Sequence, residues 1–189
     1  MLKYTKIPGE DSNHYVSFSY HHGEIHYQDT NSIKSTQQMS RDHLYVIDSS
    51  FHSLQSFRTP KNEVQLEWKK VIDHIQKQQQ AVTTDRLIEY FNIPIQQYHQ
   101  EYLTNLATYH EESLKGLTRE ETQNMIGRLW EGLYKNYFLG IKKDDQSIIN
   151  PIGSSEPVIL FSKDFSHLYV LFETSEGEPI QLILAFERY

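Results

Sequence analysis

The stretch that most constrains this chain begins at Thr118-Arg119-Glu120-Glu121. A threonine hydroxyl can accept from the N–H three residues on, and a glutamate at that place can accept from the threonine's own N–H. Together they start a helix. Met125, Ile126, Leu129, Trp130, Leu133, Tyr134, Tyr137 and Phe138 then recur every three or four residues, so the segment predicts an amphipathic helix running to Leu139. Gly140 is placed to end it, and Lys142 and Lys143 lie just past the negative pole of its dipole. Such a wide apolar face requires a second layer, which the flanking sequence must supply.

Upstream, Thr59-Pro60 predicts a helix start, and Val64, Trp68, Val71, Ile72 and Ile75 give that helix one apolar face. The face is lost in Gln76-Lys77-Gln78-Gln79-Gln80, where the helix is expected to end or to protrude into water. Thr83-Thr84-Asp85 predicts a new start, and Asn92-Ile93-Pro94 an interruption. From Pro94 a longer helix is expected to present Tyr98, Tyr102, Leu103, Leu106 and Leu114, with Gly116 as a left-handed cap and Leu117 closing over it. Residues 59–143 thus form a helical zone of three to four helices.

The two ends follow a different period. Tyr15 to Tyr20 and Glu24 to Gln28 alternate around His21-His22-Gly23, which predicts a hairpin with glycine in its turn, and His43 to Asp48 predicts a third strand. Asp29 to Asp42 has only Ile33 and Met39 as large apolar residues and is expected to be a mobile loop. Toward the C-terminus, Val158–Phe161, His167–Phe172 and Ile180–Phe186 are apolar runs joined by short turn-rich links, the pattern of an antiparallel meander. The expectation is a single α+β domain over 1–189: an N-terminal antiparallel β hairpin and strand (1–58), the helical zone (59–143), and an acidic three-stranded antiparallel meander (144–189). The meander's flanking strands are apolar on both faces, so both faces need cover.

Of the formal charge of -7, most lies in residues 144–189, which carry two Lys/Arg against eight Asp/Glu. That balance disfavours nucleic acid and anionic lipid and favours a basic partner surface. The chain has no cysteine, which excludes disulfides, thiol catalysis and cysteine-ligated metal, and is compatible with a reducing compartment. Met1 to Asp11 holds no apolar core of an export signal, and no stretch approaches eighteen consecutive apolar residues, so a soluble cytoplasmic protein without a membrane segment is expected.

Ten histidines raise the question of a metal. His22, Glu24 and His26 are two apart and would share one face of an extended strand, a ligand set used by zinc and non-haem iron. A turn at Gly23 would put His22 and Glu24 on opposite arms and dissolve that face, so no metal and no cofactor is assigned. No zincin spacing, phosphate loop, dinucleotide fingerprint or nucleophile elbow is present. Thr83 to Leu106 resembles a helix-turn-helix, with Leu87, Ile88 and Phe91 on the first helix and Asn92-Ile93-Pro94 in the turn. Its second helix carries Gln96, Gln97, His99, Gln100 and Glu101 and no Lys or Arg, so the phosphate contacts that dominate duplex affinity are missing.

Thirteen tyrosines are the compositional feature that points to function. Tyrosine supplies contact area at small entropic cost and is enriched at interfaces. Tyr20, Tyr27 and Tyr45, on the N-terminal strands, are the candidate partner-binding residues. The reading is a non-enzymatic protein-binding regulator, inhibitor or immunity-type factor, with homo-oligomerisation compatible. A metal-assisted hydrolase or lyase built on His22, Glu24 and His26 is the alternative, and a helix-turn-helix DNA-binding regulator the third.

Overall fold

The computed structural model describes residues 12–49, 52–143 and 146–186. The chain is mixed α+β with antiparallel sheets, and its internal contacts divide it into two units, Met1–Phe18 with Arg41–Gln79 and Ser19–Ser40 with Gln80–Tyr189. None of its described helices is long and apolar enough to cross a membrane.

In the three-stranded N-terminal sheet, β2 (Ser32–Ser49) lies between β1 (Asn13–Tyr27) and β3 (His52–Phe57). Tyr45 stands opposite Phe57 and Ile47 opposite Gln55, and a bulge shifts the register before Ser49. The period of two puts Tyr45 and Ile47 on one face. They pack with Phe57 against Ile72 of helix α1 (Glu63–Tyr90), and Trp68 joins them partly buried.

Two expectations about β1 and β2 are overturned. β1 runs unbroken through Gly23, and the turn is Gln28-Asp29-Thr30-Asn31, with Asn31 at φ 47°. The segment expected to be a mobile loop, Asp29 to Asp42, is that turn plus the first part of β2. Every side chain from His21 to Lys34 is exposed. A strand with water on both faces needs no apolar alternation, so its polar composition imitates a loop while its backbone is paired.

Helix α1 begins later and ends later than its sequence suggests. Asn62, not Thr59, is the cap: its Oδ1 accepts from the Gln65 N–H at 2.9 Å, and Gln65 Oε1 accepts from the Lys61 N–H at 2.8 Å. The helix then continues for 28 residues through both Gln76–Gln80 and Thr83-Thr84-Asp85, where a stop and a restart are expected. Glutamine is a good helix former, and losing an apolar face does not break a helix whose backbone stays satisfied. Asn92, at φ 53°, ends it. The Asn92 N–H donates to the Glu89 carbonyl at 3.1 Å and the Ile93 N–H to the Ile88 carbonyl at 3.0 Å, a Schellman closure.

In the second unit the segment expected to be a helix from Pro94 is instead a short 3₁₀ turn (Ile95–Gln97), strand β4 (Tyr98–Tyr102) and a 3₁₀ segment (Leu103–His110). Tyr98 and Tyr102 are four apart, which suits a helix turn and a strand face equally, and the pairing with an apolar strand decides for the strand. Helix α2 (Arg119–Leu133) is as expected. Thr118 Oγ1 accepts from the Glu121 N–H at 3.2 Å, the Thr118 N–H donates to Glu121 Oε2 at 2.8 Å, and Met125, Ile126, Leu129, Trp130 and Leu133 are buried. The helix widens into a π turn over Tyr134–Phe138 and stops at Gly140, φ 117°. β5 (Ile141–Lys142) and β6 (Ile148–Ile149) make a small ladder.

The expected meander is present and gains a strand. β7 (Val158–Ser162), β8 (His167–Glu173) and β9 (Pro179–Ala185) follow β4 in the order β4-β7-β8-β9, with Tyr98 opposite Ser162 and Tyr102 opposite Val158. Helices cover both faces. Leu87 of α1 and Ile93 pack with Val158, Leu160 and Leu171 on one side, while Leu129 and Leu133 of α2 line a small cleft with Val170, Leu182 and Leu184 on the other.

Candidate functional site

Because β1 does not turn at Gly23, His22, Glu24 and His26 do share a strand face. Gly23 lies within the pairing, with the Thr36 methyl 3.7 Å from where its Cβ would be. His26 Nε2 donates to Glu24 Oε2 at 3.0 Å, and His22 Nε2 lies 3.7 Å from Glu24 Oε1. The carboxylate therefore bridges two imidazoles with one oxygen each. Its donors do not converge on a point, and no group of three His, Asp or Glu side chains among the described residues is arranged to hold a metal ion.

The three candidate tyrosines have different surroundings. Tyr27 is 46% exposed on the outer part of β1. Tyr20 is half-buried: its ring stacks on Trp130 at 5.9 Å, and burial, helped by the Glu131 charge, raises its hydroxyl pKa. Tyr45 is 3% exposed and lies between the rings of His14 (4.3 Å) and Phe57 (5.2 Å). Beside Tyr27, the outer ribbon carries Ile25 at 56% and Ile33 at 62% exposure, two apolar side chains that alternation alone did not single out.

A polar cluster around Tyr45 escapes sequence reasoning because its members come from three elements of the first unit. His14 on β1 and His43 on β2 approach with Nε2 and Nδ1 2.9 Å apart and nearly parallel rings. Asp73 of α1 lies 3.8 Å from His14 Nδ1 and is paired with Lys69, whose ammonium also stands 5.1 Å over the Tyr45 ring. Gln76 Nε2 donates to the His14 carbonyl at 3.2 Å. Burial holds His14 below the usual histidine range despite Asp73, and burial followed by Arg41 does the same to His43. Burial raises the Tyr45 pKa, and the hydrogen bond to Asp73 raises that of Lys69. The cluster is a proton-sharing histidine pair anchored on an ion pair. The one sequence signal was Lys69 and Asp73 at a spacing of four on a helix.

The second unit has its own chain of hydrogen bonds. Asp164 Oδ1 accepts from Ser166 Oγ at 2.9 Å, Ser166 Oγ meets His167 Nδ1 at 2.9 Å, and His167 Nε2 meets the Tyr98 hydroxyl at 2.9 Å. With serine donating to the aspartate, His167 donates from Nδ1 and accepts the tyrosine proton at Nε2. The Tyr98 pKa is pushed up to about 12, by burial first and then by its hydrogen bond with Tyr169. Tyr98 is therefore a proton donor and not a ready nucleophile at neutral pH. Glu156 is a half-buried acid of this unit. It accepts from the Thr104 N–H at 2.8 Å and from Gln80 Nε2, and burial outweighs these bonds to raise its pKa. It ties α1 to the segment before β7.

Comparison with known proteins adds no relative: no family model, no curated protein and no solved structure matches this chain.

Proposed function

We propose that this chain is a non-enzymatic protein-binding factor of the regulator, inhibitor or immunity type, and that it meets its partner through the outer half of the β1–β2 ribbon. The observation that carries this reading is the exposure of Ile25, Tyr27 and Ile33 on a ribbon whose side chains from His21 to Lys34 all face water. Apolar residues placed there contribute nothing to a core, and they gain by burial against another surface. A paired ribbon holds them in a set geometry, so binding costs less ordering than it would for a loop. The acidic excess of residues 144–189 adds attraction toward a basic partner.

The test is a photo-crosslinking side chain at Tyr27 in the native host. It should trap a partner protein that the Ile25→Ser, Ile33→Ser double variant loses, while far-UV circular dichroism and thermal midpoint stay unchanged. Equal capture by the double variant overturns the reading. So does small-molecule turnover by the purified protein that depends on His22, Glu24 and His26, which would establish the hydrolase alternative.

A further inference from the structure

Along the first half of α1, Val64, Trp68, Val71 and Ile75 follow one another at spacings of four, three and four. These are the d and a positions of a heptad, the seam by which one helix packs on another. Trp68 is partly buried in its own unit, yet Val64 remains 64% exposed, Val71 48% and Ile75 46%. Glu63, Val64, Glu67, Trp68 and Val71 line an open groove of about 430 Å³ beside the seam. α1 meets its own sheet through the neighbouring stripe of Trp68, Ile72 and Gln76, so Trp68 belongs to both stripes while Val64, Val71 and Ile75 do not.

The charges beside the seam specify what covers it. Glu63 and Glu67 flank its first turns, Glu67 also pairing with Lys70 of its own helix at 2.8 Å, and His74 and Lys77 flank the next ones. A helix whose flank is acidic at one end and basic at the other is complementary to itself when reversed. A second copy laid antiparallel places Val64 against Ile75 and Trp68 against Val71, and brings Glu67 to His74 and Glu63 to Lys77. A parallel pair, in which g positions meet e positions, would set Glu67 beside Ile72 of the other copy and offer it no opposite charge. We propose that this face of α1 is the interface of a homodimer in which two α1 helices pack antiparallel across a two-fold axis, the isologous arrangement commonest among soluble oligomers.

The chain has no cysteine, so cysteines can be placed one at a time in the full-length protein. Sedimentation at about 100 μM should show a dimer, and Val71→Asp or Glu67→Lys should raise its dissociation constant about tenfold or more with unchanged circular dichroism. Both sites are exposed, so neither change needs to disturb the monomer; if one does, the other carries the test. Under mild oxidation a mixture of V64C and I75C proteins should form disulfide-linked dimers in larger yield than either protein alone. A monomeric wild type at that concentration, a dimer indifferent to both substitutions, or V64C linking preferentially to itself would overturn the proposal.

Discussion

His14 and His43 are the residues whose protonation most directly affects this fold. Both have pKa values lowered by burial, so between the folded and unfolded values the unfolded chain binds more protons. Stability therefore rises with pH in this window, and it falls as acidification carries the medium below the ordinary histidine value of about 6.5. Asp73, with Lys69 beside it, reduces the effect for His14 without reversing it. Urea midpoints measured from pH 7.5 down to 5 should decline, and His14→Gln should flatten the decline; an unchanged slope would show that the pair does not titrate on unfolding. Gly140 offers a second test. It sits at φ 117°, and a Cβ there would come within 2.3 Å of Ile148 Cγ2. Gly140→Ala should cost about 1–3 kcal/mol by chemical denaturation, through strain in the left-handed region and the shift forced on β6. Gly140 was legible in the sequence, because a glycine after a long apolar periodicity has one usual reason to be there. The histidine pair was not legible, because 29 residues separate its members and nothing local announces a contact made by the sheet.

Helix α2 and helix α1 show why one element was readable and the other was not. For α2, cap chemistry and periodicity agreed, and the structure has both the box at Thr118 and the buried Trp130 face. Trp130→Ala should cost about 3–5 kcal/mol and Thr118→Ala about 1 kcal/mol, measured as shifts in urea midpoint at constant m. For α1, the Thr83-Thr84-Asp85 triplet looks like a cap only when the helix before it is taken to have ended. Thr84 is in fact buried within the continuous helix, and Gln80 is held by Glu156 across 76 residues of sequence. Continuity predicts that Gln78→Pro, at a position with an exposed side chain, removes a backbone hydrogen bond and costs about 3 kcal/mol or more. If the helix stopped in the glutamine run, the same change would be nearly silent. The outer ribbon and β4 failed to read for a related reason: tertiary pairing, not local pattern, makes them strands.

For the whole molecule, the charge distribution is less one-sided than the sequence count implies. Of the acids in residues 144–189, Glu173 is paired with Arg86, Glu178 with Lys143, Asp164 holds Ser166, and Glu156 is held by Thr104 and Gln80. Much of the C-terminal negative charge thus closes the second unit on itself, and what remains to steer a partner is smaller than eight acids against two bases suggests. The balance still bears on nucleic acid. The chain carries -7 overall, and the segment that resembles the second helix of a helix-turn-helix is β4, an edge strand paired with β7 over all five of its residues, from Tyr98 to Tyr102. An edge strand bearing His99, Gln100 and Glu101 has neither the shape to enter a major groove as a recognition helix nor the cations to displace counterions from phosphate. Fluorescence anisotropy of a labelled random duplex at about 150 mM salt should therefore stay flat up to about 10 μM protein, well into the range where basic DNA-binding proteins associate without specificity. Saturable binding that weakens with added salt would show that a basic surface is assembled here which neither the charge arithmetic nor the arrangement of β4 provides.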